Sequence, residues 1–101
     1  MMEQINAQID YADVKITEQN CLTIDMVFKW EGCGQSIPMY NLGTKYLSEW
    51  IRGILETLEI TEWNKVKGQF CRILRIDGKI VGIQHVVKNK SFIFDLQESG
   101  R

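Results

Sequence analysis

The stretch Leu22, Thr23, Ile24, Asp25, Met26, Val27, Phe28, Lys29, Trp30, Glu31, Gly32, Cys33, Gly34, Gln35 decides the fold. Its even positions from Leu22 to Trp30 are all large and apolar. Thr23, Asp25 and Lys29 stand between them, and only Val27 breaks the alternation. A period of two marks a strand with one face in a core and the other in water. At Gly32 to Gln35 the strand runs into glycines, which let the backbone turn or approach something closely. The core is expected to hang on this strand, with any binding site near its glycine end.

Working outward, Ile9 to Thr17 carries Ile9, Val14, Ile16 and Thr17 and reads as a strand. Residues 1 to 8 are polar and are expected to fray. Glu18, Gln19 and Asn20 form a polar break, and Asn20 tolerates a left-handed backbone, so the two strands should form an antiparallel hairpin. Beyond the glycines, Pro38 cannot donate to a ladder, which makes Ser36 to Tyr40 an edge strand or an extended loop. Thr44 is a candidate helix cap. From Lys45 the period changes to 3.6: Leu47, Trp50, Ile51, Ile54, Leu55 and Leu58 make one apolar stripe. Gly53 interrupts it at a cost of about 1 kcal/mol, which suggests close packing of the helix on the sheet.

After the helix, Thr61 to Gly68 is a connector with one helical turn closed by Gly68, and Trp63 should tuck back onto the core. Gln69 to Ile76 and Lys79 to Val87 are strands joined at Asp77-Gly78, a pair suited to a type I′ turn. Which face of this hairpin lies inside stays open: Phe70, Leu74 and Ile76 favour the even positions, Cys71 and Ile73 the odd ones. Lys88 to Lys90 turns the chain into a short strand, Ser91 to Leu96, and Gln97 to Arg101 is a loose tail. The order predicts an α+β fold: a mostly antiparallel sheet of about five strands with one main helix on one face.

The chain of 101 residues suits a single α+β domain spanning 1–101, and its 45% hydrophobic and 25% charged shares are ordinary for a soluble protein. A net charge of -1 argues against coating nucleic acid by charge. Lys65 with Lys67, Arg72 with Arg75, and Lys88 with Lys90 read as solvated edges that discourage aggregation. No apolar run approaches the roughly 18 residues needed to span a bilayer, and the N-terminus lacks the basic-then-apolar pattern of a signal peptide. Cys21, Cys33 and Cys71 are scattered, with no Cys-x-x-Cys pair and a single histidine, which argues against a metal and for a reducing, cytoplasmic setting.

Candidate chemistry is sparse. His85, in the strand Val81 to Val87, has no motif pairing it with a cysteine, and a partly buried strand histidine accounts for it. Cys33, between two glycines, is an exposed thiol, and a nucleophile would need nearby positive charge from Lys29 or Lys45. Gly32 to Gln35 could offer backbone N–H groups to a phosphate but lacks Gly-x-x-x-x-Gly-Lys and does not open a helix. Trp30, Tyr40, Tyr46 and Trp63 could stack on a ring, though core positions explain them as well.

These residues resemble a group of small proteins encoded by bacteriophages and prophages. The likeness is carried by Leu22 to Trp30 running into Gly32-Cys33-Gly34-Gln35 and by the helix Trp50 to Glu56. Trp63-Asn64-Lys65-Val66-Lys67-Gly68, Val81 to His85 and Lys90-Ser91-Phe92 follow in order. It covers roughly residues 9 to 94. Where those proteins continue with more glycine and an aromatic, this chain has Ser36 to Tyr40, and Gln84 separates Ile83 from His85. The resemblance implies a non-enzymatic phage accessory protein in the host cytoplasm, without a cofactor. Such a protein would bind a host (defence) protein or sequester a small signalling nucleotide. Gly32, Cys33, Gly34, Gln35, Tyr40, Lys45, Arg72 and His85 are the expected contacts. Two alternatives stand beside it: a small enzyme using Cys33 or His85, and a structural component whose exposed edges pair in a homo-oligomer.

Overall fold

A computed structural model describes residues 2–38 and 40–94. The architecture is α+β, one long helix against an antiparallel sheet of six strands. The strands are β1 (Met2–Ile16), β2 (Leu22–Trp30), β3 (Cys33–Ser36), β4 (Phe70–Ile76), β5 (Lys79–Gln84) and β6 (Ser91–Ile93). The helix α1 spans Gly43–Leu58, and a single 3-10 turn, Trp63–Lys65, lies in the connector after it. The sheet order is β3-β2-β1-β4-β5-β6.

The inward set of β2 is as expected: Ile24, Met26 and Phe28 are buried and face α1, with Leu22 and Trp30 half-buried at its ends, while Thr23, expected in water, is buried on the other face. Across from them lie Ile9, Ala12 and Val14 of β1. On α1 the expected stripe points inward, with Trp50, Ile54 and Leu58 buried and Leu47, Ile51 and Leu55 along its flanks. Trp50 stacks on Phe94 at 5.0 Å and meets Tyr40 edge-on at 5.1 Å. Burying each such side chain contributes about 1.5–3 kcal/mol, which is what holds the helix in place.

The beginning of the chain departs from expectation. Residues 2 to 8, read as frayed, are paired strand: Met2 to Gln8 lie opposite Ile76 to Phe70. β1 is the central strand, and a bulge at Asp10 reverses which residues face the core. Before the bulge the odd residues Ile5, Ala7 and Ile9 point inward; after it the even residues Ala12 and Val14 do. That parity switch hides the strand's full length from a period-two reading, which finds only the part from Ile9.

Smaller corrections follow from local geometry. Gly32 to Gln35 is not a loop: Glu31 and Gly32 both have positive φ (36° and 80°), a two-residue turn, and β3 begins at Cys33. β3 ends at Ser36, and Ile37 and Pro38 follow as an extended loop, one of the two forms expected of this piece; the Ile37 N–H donates to the Met26 carbonyl at 3.0 Å. Thr44 does not cap α1, whose N-cap is Leu42 with no side-chain hydrogen bond. β5 stops at Gln84, which leaves His85 to Lys90 as a loop. Asp77 and Gly78 do form the expected turn (φ 51° and 78°), and Asn20 is left-handed (φ 63°). In β4 the odd residues Cys71 and Ile73 are fully buried in the core, while Phe70 is 66% exposed; across a register shift at Leu74/Arg75, β5 buries both Ile80 and Ile83. Met39, Leu96 and the tail 97–101 lie outside the described residues.

The sheet is strongly curled. β3 and β4 are three places apart, roughly 14 Å in a flat sheet at 4.7–4.9 Å per strand. Yet the Gln35 amide of β3 donates to the Gly78 carbonyl beyond β4, and its oxygen accepts from Arg75 at 2.9 Å.

Candidate binding cleft

β1 is fifteen residues long, and neither neighbour covers it fully. β4 pairs with residues 2 to 8, whereas β2 pairs from Gln8 onward. The Ile9 N–H donates to Gln69 at 2.8 Å and its carbonyl accepts from Gly68 at 2.7 Å, so the Ile9 backbone points to the β4 side. Backbone direction alternates along a strand, so Gln4 and Asn6 present their N–H and C=O groups to the other side. There β2 has already ended. Among the described residues this edge has no strand partner.

An open cleft of about 640 Å³ lies in that gap. Asn6, Ala7 and Gln8 form one wall, and the β2–β3 turn from Lys29 to Cys33 forms the other. Phe70, Cys71 and Val86 complete it, so the lining is mostly apolar with polar groups at the rim. Phe70 is exposed at the mouth, and neighbouring Val87 is 85% exposed. Burial pushes the Cys71 thiol up to about 12, so it is a neutral, small apolar contact in the cleft.

The cations around the cleft are engaged within the chain. Lys29 pairs with Asp10 at 3.2 Å. Arg72 donates to the Asn6 side chain at 3.3 Å and to the Val86 carbonyl at 3.0 Å, tying two walls together from the outer face. Arg75 donates to Glu3 and Gln35, both at 2.9 Å, and lies over the Trp30 ring at 5.7 Å. This latch fixes β3 across the curl, and its hydrogen bond holds the Glu3 carboxyl below its ordinary range.

Of the expected contact residues, Gly32 and Cys33 line the cleft, and Gly34 follows them in β3. Arg72 braces the walls, and Gln35 belongs to the latch. The other three lie elsewhere. Tyr40 packs on Trp50, Lys45 sits 5.6 Å over the Tyr46 ring, and His85 turns toward the helix end. His85 Nδ1 accepts from the N–H groups of Val87 and Lys88, at 3.1 and 3.0 Å, and Nε2 lies 3.7 Å from Glu59. Gly32 serves the turn, and β3 pairs with β2, which leaves no glycine cradle of the phosphate-binding kind. Among the described residues no cluster of His, Cys, Asp and Glu could hold a metal ion, and no helix is long and apolar enough to cross a membrane.

No family model, curated protein or solved structure matches the chain. Its chemistry is read from the cleft alone. The residues that sequence reasoning missed are Asn6, Phe70 and Val86. Phe70 carried a signal, since its parity opposes that of Cys71 and Ile73, but the sequence left the inward face of that strand undecided.

Proposed function

We propose that the protein acts by binding, and that the cleft takes an extended segment of a partner protein. The observation that carries this reading is the unpaired backbone of β1 at Gln4 and Asn6 beside an apolar cleft. A peptide laid along such an edge gains main-chain hydrogen bonds, and one of its apolar side chains enters the pocket. Phe70 is the anchor, an exposed aromatic at the pocket mouth, and half-buried Val86 lines the cleft beside it. A signalling nucleotide fits less well: a polyphosphate needs uncompensated cations, and Lys29, Arg72 and Arg75 are engaged within the chain. The resemblance to phage accessory proteins supports a host protein as the partner. A binding role is favoured over catalysis because the His85 nitrogens face backbone N–H groups and Glu59.

The test is site-specific photo-crosslinking in bacterial cells producing the protein. A benzophenone side chain replaces Phe70 in one variant and Glu49, on the exposed side of α1, in another. A discrete protein adduct from position 70, absent from position 49 and lost with Val86→Asp, supports the reading. Equal labelling at the two positions, or none at 70, overturns it.

A further inference from the structure

The other half of β1 has the complementary vacancy. From Tyr11 to Ile16 the strand pairs with β2 on one side, and no strand covers the other among the described residues. The Thr17 N–H donates to the Cys21 carbonyl at 2.9 Å, toward β2, so by alternation Ala12, Val14 and Ile16 direct their backbone groups outward. The Val14 N–H accordingly meets no strand. It donates at 2.9 Å to the carboxylate of its neighbour Asp13. Ile16 is 64% exposed at this edge.

The charges on the outer face are left half-solved. Asp13 of β1 lies directly opposite Asp25 of β2, an unfavourable like-charge pair. The one lysine at hand, Lys15, bonds Asp25 at 3.1 Å, while Asp13 has only the Tyr11 hydroxyl and the Val14 N–H.

We infer that the protein forms a two-fold dimer in which this half of β1 pairs antiparallel with β1 of a second copy, about an axis at Val14. In that register Asp13 of each chain faces Lys15 of the other, so each lysine comes to lie between Asp25 of its own chain and Asp13 of the other copy. On the helix-bearing face Val14 meets its own copy, and each exposed Ile16 lies over the small Ala12 of the other chain. The neighbouring registers fail. An axis at Asp13 or at Lys15 sets like charges opposite each other. An axis at Ala12 puts Asp13 opposite Tyr11 and Lys15 opposite Ile9. Self-complementary charge is what selects one register of an isologous interface. Asp13 releases the Val14 N–H as it turns to the lysine, and the N–H then joins the new ladder. The two sheets become one, with β1 and its copy at the centre, and the apolar cleft stays free on the opposite side of each β1.

Sedimentation velocity across a concentration series tests this. The wild-type protein is expected to approach twice 11.8 kDa as concentration rises. Asp13→Lys places a cation opposite Asp25 in its own chain, which favours the fold, but opposite Lys15 in the dimer. Association should weaken about tenfold or more as two attractive pairs become repulsive. Val14→Pro removes the outward N–H at an edge position that tolerates proline and should abolish the dimer. The double variant D13K/K15D recreates both cross-chain pairs and should dimerise again. A wild-type protein that stays monomeric at the highest attainable concentration overturns the inference. A dimer that survives both Asp13→Lys and Val14→Pro overturns it as well.

Discussion

A Cβ atom at Gly53 would sit 2.2 Å from the ring of Phe92, and all three nearest atoms lie within 2.9 Å. The glycine that interrupts the apolar stripe of α1 thus lets β6 bring Phe92 against the helix backbone. Gly53→Ala gains about 1 kcal/mol of helix propensity, but forcing a methyl into a filled space costs about 1–3 kcal/mol. A net loss of up to about 2 kcal/mol is expected in urea unfolding. In a Phe92→Ala background the collision is gone, and the same substitution should be neutral or stabilising. Additive effects in that double-mutant cycle would rule out the contact.

Arg75 is the one side chain that joins Glu3, Gln35 and the Trp30 ring. A lysine keeps the charge but loses the planar fork that reaches two acceptors at once. Arg75→Lys should therefore loosen β3 at the curl, leaving the Gln35–Gly78 hydrogen bond, without unfolding the sheet. Hydrogen exchange should speed up at Cys33–Ser36, while amides of the β1–β2 pair such as Asp25 keep their protection. Unchanged exchange in β3 would show that its pairing with β2 suffices.

The β2 strand, the α1 stripe and the Asp77-Gly78 turn could all be read from residues, because each follows one period or one backbone rule over its whole length. Of β1 only the second half could, as the strand from Ile9 that pairs with β2. Its inward parity changes at Asp10, and its polar N-terminal half is held by β4, which lies more than sixty residues away. The same blindness hid the cleft. Asn6 and Val86 meet through Arg72, a contact set by sheet order and invisible to local pattern. Gly32 and Cys33 line the cleft for a local reason: the glycine marks a tight turn, and that turn forms a cleft wall.

Glu59 closes α1 in a left-handed conformation (φ 60°) and gathers Lys88 at 2.8 Å and Lys90 at 2.7 Å. The hydrogen bonds from Lys88, then Lys90, pull its carboxyl from 4.5 down to about 2. A depressed carboxyl stabilises the fold above its unfolded value, and that contribution fades as pH falls from 4.5 toward about 2. Glu59→Gln should remove this part of the acid dependence. The variant should be less stable than wild type at neutral pH, and the gap should narrow as pH drops through that window. High salt should shrink the neutral-pH gap, because the carboxylate is one-third exposed. A gap that stays constant down to pH 2 would mean the lysines do not act through the Glu59 charge.

Two cysteines share the cleft but not its chemistry. Cys33 is exposed beside the turn, whereas Cys71 is fully buried and its thiol is pushed up to about 12 by that burial. Thiolates are the reactive form, so iodoacetamide at neutral pH should modify Cys33 in the folded protein and leave Cys71 untouched until the chain unfolds. Peptide mass mapping after brief labelling reads this directly. The shift also has a stability consequence. Unfolded Cys71 ionises near its ordinary 9.0 while the folded thiol does not, so stability should fall as pH rises from there toward about 12. Cys71→Ala should flatten that alkaline slope while creating a small cavity at neutral pH. Rapid labelling of Cys71 in the native protein would mean that the cleft opens down to the β4 strand, and that its inner wall is not the closed apolar surface described above.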